Sequence, residues 1–111
     1  MTLFDEEAST ELCRFHRDAT GVLRATGEID LSNADRLREA LRDAEHPSVP
    51  TVVDMAGVSF LDSTGLTALL EHRLDAHGLT ILNPSPQVTR VLRMASVLDL
   101  FVVEQTPAAS S

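Results

Sequence analysis

The stretch VDMAGVSFLDSTGL, residues 53–66, decides the fold of this chain. Thr51–Met55, at its start, is short, apolar and β-branched, which is typical of a central strand buried on both faces of a sheet. From Ser63 onwards apolar residues recur at helical spacing, at Leu66, Leu69, Leu70 and Leu74. Gly78 stands where a left-handed residue would end that helix. We therefore predict a strand, a loop and a helix, with Ser63 at the junction, where its hydroxyl can cap the first turn.

Two strands and a helix are predicted on the N-terminal side of this stretch. Leu12–Phe15 and Val22–Ile29 have strand composition, and the turn at Asp18–Gly21 between them indicates a hairpin. Ser32 opens a capping box and is the predicted N-cap of the first helix, which continues to about Glu45. The apolar positions of that helix are Leu37, Ala40, Leu41 and Ala44.

The C-terminal side contains a further strand, a third helix and a last short segment. Leu79–Leu82 is a brief strand, and Ser85 and Pro86 form the N-cap and first position of the helix. Leu100–Val103 is either an edge strand or a final docking segment. The apolar positions of the third helix are Val88, Val91, Leu92 and Ala95.

The resulting order, β-β-α-β-α-β-α-β, predicts an α/β fold with a mixed, mainly parallel sheet and helices packed against it. Residues 12–104 hold this single domain. The acidic residues 1–11 and the small and polar residues 105–111 lack periodicity, so we expect both ends to be flexible.

Composition excludes several classes of function. The formal net charge is −8, all nine basic residues are arginine, and neither tryptophan nor tyrosine occurs. Nucleic-acid binding needs clustered positive charge and is favoured by stacking aromatics, so we exclude nucleic acid as a partner. The longest apolar run has four residues, far short of a membrane span of about twenty, so we expect no membrane partner and a cytoplasmic location.

Residues that often bind metals or perform catalysis show no suitable pattern here. His16, His46, His72 and His77 lack metal-ligand spacing, and we interpret all four as surface or strand residues. Cys13 is most simply a small buried apolar residue. Asp54 is interpreted as a helper of the adjoining loop. We therefore expect no metal, no cofactor and no catalytic residue.

Three segments together resemble the STAS domain family, in its anti-sigma-factor antagonist type. They are Gly27–Leu31 (GEIDL), residues 53–66, and Asn83–Pro86 (NPSP) with Val91 and Leu92. The resemblance covers roughly residues 12–104. Two departures stand out: the segment between Gly65 and Asn83 is about one helical turn shorter, and Ala95–Ser96 replaces a position where the family usually has glycine.

The resemblance implies a role for each residue around the acceptor motif. Ser63 matches the serine that accepts phosphate from a partner kinase, which is also the anti-sigma factor. Asp30 matches the acid that packs near the acceptor. Asp30, Asp62, Thr64 and Gly65 are expected to contact the partner, and a phosphatase is expected to reverse the modification. The alternatives are that Asp62 is a helix cap or a loop acid and that Asp30 only initiates the first helix. The implied function is a non-enzymatic binding switch that phosphorylation turns off.

Three other functions compete with this one. A hydrolase elbow needs glycine two residues before its serine, and position 61 is leucine. A phosphoaspartate receiver resembles this chain in length and acidity, but receivers need a lysine that this chain lacks. The remaining alternative is a STAS scaffold subunit of a stress-signalling or lipid-transport complex, in which Ser63 stays unmodified.

Overall fold

In the computed structural model, which describes residues 13–75 and 77–106, strands and helices alternate in the predicted order. The strands are β1 (Cys13–Arg17), β2 (Leu23–Ile29), β3 (Thr51–Leu61), β4 (Leu79–Leu82) and β5 (Val102–Glu104). The helices are α1 (Ala34–Asp43), α2 (Ser63–Asp75) and α3 (Pro86–Met94), with a 3-10 turn at Leu98–Leu100. Leu12, predicted to begin β1, lies outside the described residues, as do 1–11 and 107–111 of the predicted flexible ends.

The five strands form one sheet in the order β1-β2-β3-β4-β5. β1 and β2 are an antiparallel hairpin, and the other neighbouring pairs are parallel. The hairpin turn depends on Asp18, whose Oδ1 accepts hydrogen bonds from the amides of Thr20 and Val22 at 2.8 and 3.1 Å. The predicted hairpin and the mixed, mainly parallel sheet with packed helices are both confirmed.

Strand β3 is longer than the sequence indicates, because it continues to Leu61 rather than ending at Met55. Ala56 and Gly57 resemble a strand end, yet β3 keeps pairing with β2 through two register shifts. β4 pairs with β3 only as far as Asp54. Beyond Asp54, β3 bonds instead to the segment before α3, where the amide of Ser85 donates to the carbonyl of Met55 at 3.2 Å.

The core lies between the sheet and the helices, and β3 is at its centre. Its largest fully buried side chains include Ile29, Leu37, Leu41, Met55, Leu69, Ile81 and Leu92. Cys13 is 1% exposed, so its predicted burial is confirmed. Leu74, placed by periodicity on the apolar side of α2, is 73% exposed, so that prediction is wrong. The buried face of α2 contains Leu66, Leu69 and His72, and at 100° per residue Leu74 lies on the opposite side of the helix.

The predicted caps fare differently at the first and third helices. Ser85 caps α3 as expected, since its hydroxyl accepts a hydrogen bond from the amide of Val88 at 3.1 Å. The prediction of Ser32 as N-cap of α1 is wrong. Asn33 occupies that position, and its side chain makes no capping bond, because it is committed to the preceding loop.

Candidate functional site: the carboxyl ends of β2 and β3

Strands β2 and β3 end side by side, which brings two separate loops together. Ile29 pairs with Leu61 in the parallel register, and the amide of Asp62 donates to the carbonyl of Ile29 at 3.1 Å. The segment after β2 therefore meets the start of α2. Loops at the carboxyl ends of parallel strands are where α/β folds commonly place their functional residues.

Asp62 caps α2 and ties it to the neighbouring loop. Its Oδ1 accepts hydrogen bonds from the amides of Thr64 and Gly65, at 2.9 and 3.1 Å, and from the Thr64 hydroxyl at 2.5 Å. Through its amide, Asp62 is also bonded to the carbonyl of Ile29, at the end of β2. The sequence left the cap open between Ser63 and Asp62, and the structure gives it to Asp62, which stands one residue earlier, where a side chain can reach back over the first turn.

The hydrogen bonds to Asp62 also change its acidity. Burial alone would raise the pKa of this carboxyl. The Thr64 hydroxyl and the amides of Gly65, Thr64 and Leu31 stabilise the charged form, and together they lower the pKa below its usual 3.8. Asp62 is consequently ionised throughout the physiological pH range.

Ser63 is the first residue of α2, and its side chain is exposed. Its carbonyl accepts a hydrogen bond from the hydroxyl of Thr67 at 2.8 Å. Within the described part of the chain, no group bonds to the Ser63 hydroxyl itself. Because Asp62 does the capping, this hydroxyl is available to another molecule.

Asp30 lies in a loop whose conformation is set by local hydrogen bonds. Its Oδ1 accepts from the amide and hydroxyl of Ser32, at 2.9 and 2.6 Å. Asn33 is buried, accepting from the amide of Asp30 at 3.0 Å and donating to the carbonyl of Glu28 at 2.9 Å. Asp30 comes directly after Ile29, so the structure brings it to the same end of the sheet as Asp62.

Gly65 is buried under the first turn of α2, against the ends of β2 and β3. A Cβ at this position would lie 2.6 Å from Cδ1 of Leu61 and 2.7 Å from Cγ2 of Ile29. Glycine here lets the helix approach the sheet closely. The structure thus gives Gly65 a packing role, and its contact with a partner stays a prediction, as do those of Thr64, Asp62 and Asp30.

Asp54 belongs to a second polar group, further back along β3. It is 6% exposed, pairs with Arg24 at 2.8 Å, and accepts from Asn83 at 3.3 Å. It also accepts from the amide of Ala56 at 2.9 Å, which agrees with its interpretation as a helper of the adjoining backbone. The sequence did not indicate Arg24 or Asn83, because both partners come from other parts of the chain.

His72 is not the surface or strand residue that the sequence suggested. It lies in α2, is 7% exposed, and its Nε2 is 2.8 Å from the hydroxyl oxygen of Thr51 in β3.

The described residues contain no group of three or more histidine, cysteine or acidic side chains able to hold a metal ion. Among them, no helix is long and apolar enough to cross a membrane.

Comparison with known proteins agrees with this arrangement. The family model of the STAS domain matches residues 14–110. The chain belongs to the STAS domain family. Two solved structures share the STAS fold, both of anti-sigma factor antagonists. The protein from Mycobacterium paratuberculosis has a TM-score of 0.68 and 24% identity, with 85% of each chain covered. SpoIIAA in its unphosphorylated form has a TM-score of 0.64 and 21% identity, with 86% of this chain and 89% of that one covered.

Proposed function

We propose that this STAS domain is an anti-sigma factor antagonist. It binds an anti-sigma factor that is also a serine kinase, and phosphorylation of Ser63 releases it. A phosphatase restores the binding form, and the chain itself performs no catalysis. The observation that carries the proposal is the exposed Ser63 hydroxyl at the start of α2, which Asp62 relieves of capping. The anti-sigma factor antagonists with the same fold support it.

The proposed modification is a transfer of the γ-phosphoryl group of ATP, which the kinase binds. The bond between Ser63 Oγ and phosphorus forms while the bond from phosphorus to the β,γ-bridging oxygen breaks. ADP leaves with that electron pair, and the hydroxyl proton passes to a base of the kinase. The serine supplies only its oxygen, so exposure is the main structural requirement on this chain.

A phosphoryl group on Ser63 would find an unfavourable electrostatic environment. It adds about −1.5 to −2 charges at neutral pH. The first-turn amides of Thr64 and Gly65 already donate to Asp62, whose carboxylate is ionised. One pair of unit charges ~6 Å apart, at an effective dielectric of ~20, repels by about 3 kcal/mol before salt screening. The helix terminus offsets roughly 0.3–1 kcal/mol, and at most about 2. Repulsion therefore dominates and disturbs the surface around Ser63.

The site of modification is tested by mixing the protein with its cognate kinase and ATP and mapping the phosphopeptides by mass spectrometry. We expect phosphate on Ser63 alone, and none in Ser63→Ala. Thr64 is an internal control, since its hydroxyl is only one residue away but is bound to Asp62. Phosphate on Thr64, or an unmodified protein in a stable stoichiometric complex, would contradict the proposal. The latter result would favour the scaffold function instead.

The switch is tested by comparing Ser63→Asp with Ser63→Ala. Both remove the hydroxyl, and they differ mainly in one negative charge beside Asp62. That charge is worth roughly 3 kcal/mol at most, so Ser63→Asp should bind up to about a hundredfold more weakly. Calorimetric affinities for the kinase with ADP present measure the difference. Equal binding by the two variants would show that charge at this position is not the switch.

A further inference from the structure

Leu31 is the most exposed large apolar side chain among the described residues, at 77%. It lies between Asp30 and Ser32 in the loop that joins β2 to α1. An exposed leucine side chain contributes little to the stability of the free protein, because it buries little apolar surface. Single exposed leucines are common, so exposure alone does not indicate a binding role.

The loop that carries Leu31 is held in one conformation. The amide and hydroxyl of Ser32 donate to the Asp30 carboxylate at 2.9 and 2.6 Å. The amide of Asn33 donates to the carbonyl of Asp30 at 3.1 Å, which closes the turn. The buried side chain of Asn33 bonds to the backbone of Asp30 and Glu28 and so fixes the loop. An exposed apolar side chain on a rigid backbone loses little conformational entropy when a partner covers it.

Leu31 is also close to the proposed acceptor. The amide of Asp62, the residue before Ser63, donates to the carbonyl of Ile29 at 3.1 Å, and Leu31 is two residues after Ile29. Adjacent strands lie about 4.8 Å apart, and Leu31 and Ser63 each follow the paired residues Ile29 and Leu61 by two positions, so their Cα atoms are on the order of 10 Å apart. A partner that docks around Ser63 through an interface of ordinary size therefore also reaches Leu31.

We propose that Leu31 is the apolar anchor by which the anti-sigma factor kinase docks, in an apolar recess next to its nucleotide site. The inference rests on the proposed function and adds a specific contact to it. Transfer requires the Ser63 hydroxyl oxygen within about 3–3.5 Å of the γ-phosphorus, so the kinase surface around its nucleotide must lie over Leu31. A second copy of this chain fits the site less well, because it would bring Asp30 and Asp62 of both copies together.

The test compares three variants with the wild-type protein. Leu31→Ala removes the anchor, Leu31→Met keeps an apolar side chain of similar size, and Leu74→Ala is the matched control. Leu74 is 73% exposed and lies at the opposite end of α2, which at 1.5 Å per residue is roughly 16 Å from Ser63. Each variant is titrated against the kinase that phosphorylates Ser63, and its thermal unfolding is followed by circular dichroism.

Leu31→Ala should weaken binding about 10- to 100-fold, as expected for a central apolar contact. It should raise KM for phosphorylation by a similar factor and leave kcat within about twofold, because it removes docking rather than chemistry. Leu31→Met and Leu74→Ala should bind like wild type, and all variants should unfold at nearly the same temperature.

Two results would overturn the inference, and they differ in what else they overturn. If wild type is phosphorylated on Ser63 while Leu31→Ala binds as tightly as Leu74→Ala, the proposed function stands and the anchor is wrong. If no anti-sigma factor kinase binds or modifies the wild-type protein, the proposed function fails together with the anchor. Self-association of the chain that Leu31→Ala abolishes would identify a second copy as the occupant instead.

Discussion

Replacing Asp62 tests directly whether this residue, rather than Ser63, holds the start of α2. The Asp62 carboxylate accepts hydrogen bonds from the amides of Thr64 and Gly65 and from the Thr64 hydroxyl. Loss of an N-cap costs about 1 kcal/mol. The Thr64 hydroxyl loses a further bond worth roughly 0.5–1.5 kcal/mol. Asp62→Ala should therefore lower the free energy of unfolding by about 1.5–2.5 kcal/mol, or roughly 6–10 °C in Tm for a domain of this size.

Two matched variants separate the cap from its charge and from its neighbour. Asp62→Asn keeps an oxygen that can accept from the first-turn amides, so it should fall between wild type and Asp62→Ala. Ser63→Ala removes an exposed hydroxyl with no partner among the described residues, and it should change stability by less than about 0.5 kcal/mol. Urea denaturation followed by circular dichroism at pH 7 gives the three values. Equal losses for Ser63→Ala and Asp62→Ala would refute the assignment of the cap.

The pH dependence of the same series tests the ionised state of Asp62. The folded state lowers the pKa of this carboxyl below its usual 3.8, so folding favours the charged form. The stability that ionised Asp62 contributes is fully present above the pKa of this carboxyl in the unfolded state, and it is lost as the pH falls through the pKa in the folded state. The stability gap between wild type and Asp62→Asn should therefore be constant from about pH 5 to 7 and shrink below about pH 4. A gap that stays unchanged down to about pH 2.5, below the usual carboxyl range, would show that the charge contributes nothing.

Two further substitutions test the packing and the backbone. Gly65→Ala should destabilise the protein by about 1–2 kcal/mol in urea, since overpacking against Leu61 and Ile29 outweighs the gain in helix propensity; increased stability would contradict this. Ser96→Gly should raise stability by about 0.5–1 kcal/mol, because Ser96 has φ +60° at the left-handed position after α3; a lower Tm would be the opposite result.

The elements and their order were predictable from the sequence, because they depend on local patterns. The cap of α3 is an example: Ser85 and Pro86 suit the first helical positions whatever surrounds them. Local hydrogen bonds also explain why the family usually has glycine at the position that Ser96 occupies here. Ser96 donates to the carbonyl of Arg93 at 3.0 Å and Val97 to that of Leu92 at 2.9 Å, the bonding pattern that usually places glycine where Ser96 stands.

The errors share a different cause, which is that the deciding contact comes from another part of the chain. Asp62 and Ser63 are both good N-cap residues, and only the parallel register of β2 and β3 selects Asp62. β3 continues to Leu61 because β2 continues beside it, although its own composition suggests an earlier end. His72 is buried because Thr51, on β3, offers it a polar partner. Pairwise contacts of this kind leave no periodic signal in the sequence.

The proposed switch and the proposed anchor both depend on Asp62. Its amide donates to the carbonyl of Ile29, two residues before Leu31, and its carboxylate lies next to Ser63, so a phosphoryl group on Ser63 would place its charge beside the residue that ties the two loops together. Repulsion there weakens the hold on Leu31 without disturbing the core, because Leu31 is exposed. A more mobile Leu31 must be ordered again when the partner binds, and the conformational entropy lost in this step lowers the affinity. Phosphorylation would then act through the charge itself and through the loss of a rigid anchor, while the fold stays unchanged.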